Sequence, residues 1–277
     1  MKKISRRSFM AAAAVSVAAL ALTACGGSAS SAASSVASSA ASSEAASSAA
    51  AELTTVEAGK LTMATNATFP PYEMTTDSGE IEGIDVDTAK AIAEKLGLEL
   101  QIDDMEFDAA LLSVQQGKAD IVMAGVTVTD ERKAVMDFSD SYATGIQSII
   151  VPNDSDIASP DDLAGKKIGT QRGTTGYIYC SDDFGEDSVV AYDSGLTAVQ
   201  ALNNGQVDAV VIDNAPATEY VAANPGLKVL DTSYAEEDYA IGMAKGSALE
   251  DAVNKALEEL KADGTLQAIV DKYINAN

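Results

Sequence analysis

One short segment of the sequence carries the residue types that capture a small carboxylate. An apolar stretch ends at Met123, and the next residues are Ala124-Gly-Val-Thr-Val-Thr-Asp-Glu-Arg132. The glycine and threonines offer hydroxyl and backbone N–H groups, and the planar guanidinium of an arginine pairs with a carboxylate through two parallel N–H bonds. We therefore predict a carboxylate-binding site, for which no chemical reaction is needed. The alternative for Arg132 is a surface ion pair with Asp130 or Glu131.

The composition excludes several kinds of chemistry. Histidine is absent, so imidazole general bases, Ser-His triads and histidine-ligated metals are excluded. The formal net charge of −24 makes nucleic acid an unsuitable partner. The acidic runs Asp182-Asp183 and Glu236-Glu237-Asp238 lack the alternating ligand spacing of a calcium loop, and we interpret them as solvated acidic surfaces. No metal and no cofactor is expected.

The first 24 residues have the features of an export signal. Basic residues precede an apolar stretch from Ala11 to Leu22, which is short for a membrane-spanning helix. The following Leu22-Thr-Ala-Cys25-Gly resembles a lipobox, in which the cysteine is lipidated and becomes the first mature residue. Residues 1–24 are therefore predicted to be a lipoprotein signal peptide, with an uncleaved anchor as the alternative. The Ser5-Arg-Arg-Ser-Phe9 segment leaves the general secretory and twin-arginine routes open.

The segment after Cys25 has the composition of a disordered tether. All but two of the residues from Ser28 to Ala51 are serine or alanine, which leaves no apolar face to pack. We assign residues 25–56 to the lipidated cysteine and the tether. Lipidation of Cys25 would leave Cys180 alone, and we expect a buried, unreactive thiol because nearby carboxylates raise the pKa of a cysteine.

From about Leu61 onward, short apolar runs alternate with helical patterns, which indicates an α/β fold. Asp85 is predicted to cap a helix that Gly97 closes, and further helical patterns end before Gly117 and Gly264. The predicted strands are Leu61–Thr65, Leu98–Ile102, Ala119–Met123, Lys167–Thr170, Val189–Tyr192 and Val207–Ile212, with extended crossovers at Gly145–Val151 and Tyr239–Ala244.

An internal repeat indicates two similar lobes. Gln116-Gly-Lys-Ala-Asp-Ile-Val-Met123 matches Asn204-Gly-Gln-Val-Asp-Ala-Val-Val211, and each copy ends an amphipathic helix and opens a strand. Ligands of open α/β sheets lie outside the carboxyl ends of the strands, so each lobe would present strand-end residues to a shared cleft. The alternative is chance similarity between two helix-turn-strand units.

From Leu61 to Ile274 the sequence resembles the family 3 extracellular solute-binding proteins, the polar amino-acid receptors of ATP-driven importers. The matching segments are Ala64-Thr-Asn-Ala-Thr-Phe-Pro-Pro-Tyr-Glu73, Gly83-Ile-Asp-Val-Asp87, Ala124 to Lys133, Asp137 to Tyr142, Gly165-Lys-Lys-Ile-Gly169, Gly173-Thr-Thr-Gly176 and Val207-Asp-Ala-Val-Val-Ile-Asp213. The resemblance implies a type II periplasmic-binding-protein fold, in which two α/β lobes joined by a two-segment hinge close around a ligand. Lobe 1 would comprise residues 57–144 and 240–277, and lobe 2 residues 145–239.

The resemblance also implies roles for residues around the head group of an amino acid. Arg132 would bind the carboxylate, and further contacts would come from Ala124, Gly125 and Thr127, which supply a carbonyl, an N–H and other donors. An ordinary strand-to-helix turn is the alternative for these three residues.

Two residues of the other lobe would complete the head-group site. Asp213 would take the α-ammonium, with capping of the helix from Ala215 as the alternative. Thr175 would donate to the carboxylate, with plain helix capping by Thr174 as the alternative.

Four further residues would surround the ligand's side chain. Phe69 and Phe107 would sandwich it, although either could be core, and Tyr72 is a weaker candidate on the rim. Asn66 stands where related receptors for cationic or amide side chains often have Asp. A lysine or arginine ligand would therefore lose a charge-assisted bond worth about 1.5–3 kcal/mol. Asn66 and Gln171 would form an amide-lined distal pocket that favours a neutral polar ligand, with an acidic ligand paired with Arg172 as the alternative.

Together these expectations describe a monomeric, extracytoplasmic receptor, anchored to the cell membrane by a lipidated Cys25. It would trap a neutral polar amino acid such as glutamine and deliver it to an ABC permease. No catalytic residue is expected. The alternatives are a ligand-sensing subunit for a membrane receptor and a dehydratase that reuses the fold, although we find no acid or base aimed at a reacting bond.

Overall fold

A computed structural model of the protein describes residues 53–274. The predicted signal peptide, Cys25 and most of the predicted tether lie outside the described residues. Residues 53–56, which we assigned to the end of the tether, are described. Leu53 packs against a buried core, and the Val56 N–H donates to Asp120 Oδ1 at 2.7 Å. The folded body therefore begins by Leu53.

Residues 53–274 form short strands interspersed with helices. The strands are β1 (Lys60–Thr65), β2 (Thr68–Phe69), β3 (Glu73–Thr75), β4 (Ile81–Glu82), β5 (Glu99–Asp104), β6 (Ile121–Val122), β7 (Met136–Phe138), β8 (Ala143–Pro152), β9 (Ile168–Gln171), β10 (Val189–Tyr192), β11 (Ala209–Asp213), β12 (Leu227–Val229), β13 (Ala235–Tyr239) and β14 (Gly242–Ala244). The α-helices are α1 (Ile84–Leu96), α2 (Phe107–Gln115), α3 (Asp130–Val135), α4 (Thr175–Phe184), α5 (Gly195–Asn203), α6 (Asn214–Ala222), α7 (Glu250–Ala262) and α8 (Thr265–Tyr273). In this part of the chain, no helix has both the length and the apolar character needed to cross a bilayer.

The strands form two main sheets, each with its own apolar core. The first sheet has the order β5-β1-β6-β14-β7, and the second has the order β10-β9-β11-β8-β12 with β13 also paired to β8. Helices α1, α7 and α8 pack against the first core, so the last two described helices return to the sheet that contains β1. We call the body around the first sheet lobe 1 and the body around the second sheet lobe 2. The α/β prediction with two lobes is thereby confirmed.

Two antiparallel strands connect the lobes. Strand β8 pairs with β13 from Ala143 opposite Tyr239 to Gln147 opposite Ala235. The chain crosses between the sheets within the predicted crossover from Tyr239 to Ala244, where β13 ends at Tyr239 and β14 begins at Gly242. The chain changes partner at that point, and the Ala240 N–H donates to the carbonyl of Val126 in lobe 1 at 3.1 Å.

The internal repeat folds into the same local structure twice. Gly117 and Gly205 follow α2 and α5 with φ angles of 66° and 67°, a left-handed conformation that glycine adopts without strain. Three residues later, Asp120 Oδ2 accepts the Thr62 N–H at 2.8 Å, and Asp208 Oδ2 accepts the Lys167 N–H at 2.8 Å. Each aspartate thus ties its helix-turn-strand unit to the neighbouring strand of its own sheet.

The prediction that Asp85 caps α1 is wrong. The helix begins at Ile84 with Gly83 as its N-cap, and Asp85 is completely buried. Its Oδ2 atom accepts the N–H of Gly125, 40 residues away, at 3.0 Å. The carboxylate therefore fixes the loop after β6 to α1 instead of satisfying the end of its own helix.

Cys180 is buried, as expected, among apolar residues of lobe 2. Burial raises the pKa of its thiol to about 12. The thiol is therefore protonated at neutral pH, which makes it a poor nucleophile.

Gly145 of β8 gives a test of the tight packing between the connecting strands. A β-carbon at this position would lie 2.5 Å from Tyr239 Cζ and 2.7 Å from Asp213 Oδ2. We expect Gly145→Ala to reduce the free energy of unfolding by about 1–3 kcal/mol through overpacking, measured by chemical denaturation.

Gly226→Ala is the matched control, because nothing lies within 4 Å of a β-carbon there. We expect this control to change stability by less than about 0.5 kcal/mol. Equal stabilities of the two variants would contradict the packing described for β8 and β13.

Candidate functional site

A cavity lies between the two lobes. All ten residues that we proposed as ligand contacts line it: Asn66, Phe69, Phe107, Ala124, Gly125, Thr127, Arg132, Gln171, Thr175 and Asp213. The cavity is also lined by Glu73, Gln147, Thr174, Ile212 and Tyr239. The structure thus brings together residues from both lobes and from both connecting strands. Their roles in binding stay predictions.

Arg132 lies in α3 with only 8% of its surface exposed. Its guanidinium donates to the carbonyl of Thr127 at 2.7 Å and to the carbonyl of Gly173 in lobe 2 at 3.1 Å, rather than to the exposed Asp130 or Glu131. Burial lowers the pKa of this guanidinium, and the negative charge of Glu237 opposes that shift. Two of its five N–H donors are used by the carbonyls, so others remain for an anion in the cavity.

Asp213 both caps a helix and lines the cavity. Its Oδ1 accepts the Ala215 N–H at 3.0 Å at the start of α6, and its Oδ2 accepts the Ile146 N–H at 2.7 Å. Burial raises the pKa of Asp213 to about 6, against the opposing effect of a hydrogen bond from Tyr239. A nearby cation would favour the ionised form.

The polar groups of the loop after β6 are partly used by the protein itself. The N–H of Gly125 donates to Asp85, which corrects the expectation that it faces the ligand. The hydroxyls of Thr127 and Thr175 both lie within hydrogen-bonding distance of Glu237. Thr174 is the N-cap of α4, so the capping alternative applies to Thr174 and leaves Thr175 facing the cavity.

Two amide side chains meet at the distal end of the cavity. Gln171 Nε2 of lobe 2 donates to Asn66 Oδ1 of lobe 1 at 2.9 Å, and Asn66 Nδ2 donates to the carbonyl of Met105 at 2.9 Å. Among the described residues, no hydrogen bond is donated to Gln171 Oε1. This end therefore retains one carbonyl acceptor on Gln171 and one N–H donor on Asn66.

Of the three aromatic residues proposed for the site, two line the cavity and one does not. Phe69 and Phe107 both line the cavity, and Phe107 is also part of a buried core cluster and lies 5.4 Å from the Arg132 guanidinium. Tyr72 is not on the rim as expected. It is 4% exposed and lies behind the cavity, 5.9 Å from the Phe69 ring and 5.4 Å from the Tyr239 ring.

Glu237 is a buried residue beside the cavity that the sequence did not reveal. We read the run that contains it as a solvated acidic surface, but Glu237 is only 7% exposed. Strand β13 turns Glu237 and Tyr239 inward and Glu236 and Asp238 outward. Because side chains alternate along a strand, the position of Glu237 two residues before Tyr239 was the available signal.

Two further carboxyl groups lie deep in lobe 1 beside the cavity. Glu73 and Asp85 are completely buried. Burial raises the pKa of Glu73 well above its usual range and the pKa of Asp85 to about 6. For both carboxyl groups, burial disfavours the charged form.

Comparisons with known proteins agree with this geometry. Residues 61–276 match the model of the bacterial extracellular solute-binding proteins, family 3. The L-cystine-binding protein TcyJ of Escherichia coli K12 is 33% identical over 225 residues, covering 80% of this chain and 85% of the relative. The ABC transporter glutamine-binding protein GlnH of Bacillus subtilis is 35% identical over 202 residues, covering 71% of this chain and 74% of the relative.

Solved structures give the same result. An ancestral arginine-binding protein bound to arginine superposes with a TM-score of 0.75 at 43% identity, covering 78% of this chain and 99% of that chain. The chain belongs to the family 3 bacterial extracellular solute-binding proteins and has the type II periplasmic-binding fold. Members of this family and the matched neighbours are amino-acid-binding transport proteins and not enzymes, which confirms the expectation of a binding protein.

The raised pKa of Asp213 gives a pH-dependent test. An acid with a higher pKa in the folded state binds more protons when folded, so its contribution to stability falls as the pH rises from about 4 to about 6. Between about pH 4 and pH 7, we expect the ligand-free wild type to lose roughly 2 kcal/mol of unfolding free energy relative to Asp213→Asn.

Chemical denaturation at several pH values measures this difference. Asparagine retains an oxygen for the helix cap, and Asp85 titrates in both proteins, so its contribution cancels. A difference that does not change with pH would contradict the burial described for the Asp213 carboxyl.

Proposed function

We propose that the protein is an extracytoplasmic receptor that closes its two lobes around a polar amino acid with a neutral side chain, such as glutamine, and delivers it to an ABC permease. The observation that carries this proposal is the pair of opposite charges across one cavity, a buried guanidinium on Arg132 of lobe 1 and a buried carboxyl on Asp213 of lobe 2. An amino-acid zwitterion supplies the counterpart of each.

The pairing also gives a reason for closure. In a cleft from which water is excluded, charges interact more strongly than in bulk water, so the ligand would stabilise the state in which both lobes contact it. Contacts between the lobes that support this closed arrangement include the hydrogen bonds from Arg132 to Gly173 and from Gln171 to Asn66.

A neutral side chain is favoured by the amide pair at the distal end. The free acceptor of Gln171 and the free N–H of Asn66 are complementary to the N–H and carbonyl groups of a side-chain amide. Relatives are named for cystine, glutamine and arginine, which share the amino-acid head group and differ in the side chain. The preference for an amide therefore rests on this chain's own distal residues.

The place of the receptor at the membrane follows from its N-terminal sequence. In this proposal, residues 1–24 direct export, Cys25 carries the lipid, and the serine- and alanine-rich segment after it links the anchor to a monomeric binding body. Metabolic labelling with a radioactive fatty acid tests the anchor. Label should be incorporated by the wild type and lost in Cys25→Ser.

A thermal-shift panel of the twenty amino acids and L-cystine tests the binding proposal. A ligand present at 100 times its Kd should add about 2.7 kcal/mol to the stability of the protein. We expect L-glutamine to stabilise the wild type and Arg132→Ala to weaken binding on the order of 100-fold, because the carboxylate loses its charged donor.

Lys133→Ala is the control for that variant, because it removes the neighbouring exposed positive charge in the same helix. This control should retain the full shift. An unchanged shift in Arg132→Ala would overturn the assignment of the cavity as the amino-acid site.

Asn66→Asp tests the basis of side-chain selection. A carboxylate at the distal end should improve the affinity for L-arginine relative to L-glutamine by roughly 10- to 100-fold, since it adds a charge-assisted hydrogen bond. Isothermal titration with both amino acids measures the ratio. The exposed Asn204→Asp adds the same charge elsewhere and should leave the ratio as in the wild type. An equal ratio in all three proteins would remove Asn66 from the specificity site.

A further inference from the structure

Glu237 lies behind the cavity wall and contacts three of the side chains that line the cavity. Its Oε2 atom lies 3.1 Å from Thr127 Oγ1, 3.0 Å from Thr175 Oγ1 and 3.0 Å from Gln147 Nε2. Thr127 belongs to lobe 1, Thr175 begins α4 of lobe 2, and Glu237 itself comes from the connecting strand β13. One carboxylate oxygen therefore accepts hydrogen bonds from residues of both lobes.

This arrangement fixes the direction of the two threonine hydroxyls. A hydroxyl has a single proton to donate and two lone pairs. A carboxylate only accepts, so Thr127 and Thr175 must each donate that proton to Glu237. Toward the cavity, both hydroxyls then offer lone pairs alone. They can accept from a ligand N–H, but they cannot donate to a ligand carboxylate.

The cavity consequently has a donor side and an acceptor side. Arg132 supplies N–H donors, whereas Thr127, Thr175 and Asp213 supply acceptors. The remaining oxygen of Glu237, Oε1, is buried and has no hydrogen-bond partner among the described residues. Its negative charge lies directly behind the two hydroxyls, where it favours a cation on their open side.

We propose that Glu237 is a positioning residue that turns the Thr127 and Thr175 hydroxyls into acceptors and thereby makes the cleft selective for ligands with a protonated α-amine. The inference rests on the proposed function and adds a residue and a selection rule to it. It also replaces the expected role of Thr175, which accepts from the ammonium instead of donating to the carboxylate.

Matched ligands that differ only in the α-amine test this proposal. The pairs are L-glutamine with glutaramic acid, L-arginine with 5-guanidinopentanoic acid, and L-cystine with 3,3′-dithiodipropionic acid. Isothermal titration gives the Kd of each ligand for the wild type and for Glu237→Gln. For at least one pair, the wild type should bind the amino acid on the order of 100-fold more tightly than its analogue.

In Glu237→Gln, the Kd of the amino acid should rise at least roughly 10-fold, while the Kd of the analogue stays the same. The ratio of the two dissociation constants should therefore fall by the same factor. Glu236→Gln is the matched control, because it removes the same charge from the exposed face of the same strand. Its ratio should equal that of the wild type. Equal weakening of both ligands in Glu237→Gln, or no weakening of either, would overturn the proposal.

Thr175→Val provides a second test that does not depend on the folding of the Glu237 variant. Loss of this acceptor should weaken the binding of the amino acid several-fold and leave the affinity of its analogue unchanged. If the Thr175 hydroxyl instead donates to the ligand's carboxylate, both members of a pair lose affinity equally, and the proposal is overturned. Failure of the wild type to bind any of the three amino acids would count against the proposed function itself, and the inference would fall with it.

Discussion

The site depends on a positive charge that is held inside the protein. Arg132 is removed from water, and its guanidinium is satisfied in part by carbonyl groups from both lobes. An uncompensated buried charge is costly, so the cleft is suited to receive an anion. Asp213 is a buried carboxyl group in lobe 2, and its ionised form would be stabilised by a cation in the same cavity. The two groups line the same cavity from different lobes.

The connecting strands also shape the chemistry of the cleft. Strand β8 places Gly145 against Tyr239 and Asp213, where a larger residue would not fit. Strand β13 turns Glu237 toward the threonines of both lobes. The strands that connect the lobes therefore also supply cavity-lining side chains, Gln147 from β8 and Tyr239 from β13.

Much of this arrangement could be predicted from local patterns. The turn of the internal repeat follows from Gly117 and Gly205, and the strand-end residues at Ala124–Thr127 and Asp213 follow from the rule that ligands lie at strand ends. The other cleft residues were implied by the resemblance to the family. The roles of Asp85, Tyr72 and Glu237 could not be read in this way. Each depends on a partner distant in sequence, such as Gly125 for Asp85, and a charged run with no visible partner is indistinguishable from a solvated surface.

The most direct test is a crystal structure of the protein with its bound amino acid. The ligand's carboxylate should lie within about 3 Å of the Arg132 guanidinium nitrogens, and its ammonium should contact Asp213 and the hydroxyls of Thr127 and Thr175. A ligand whose carboxylate lies at the distal end beside Gln171, with Arg132 bonded only to the Thr127 and Gly173 carbonyls, would contradict the account.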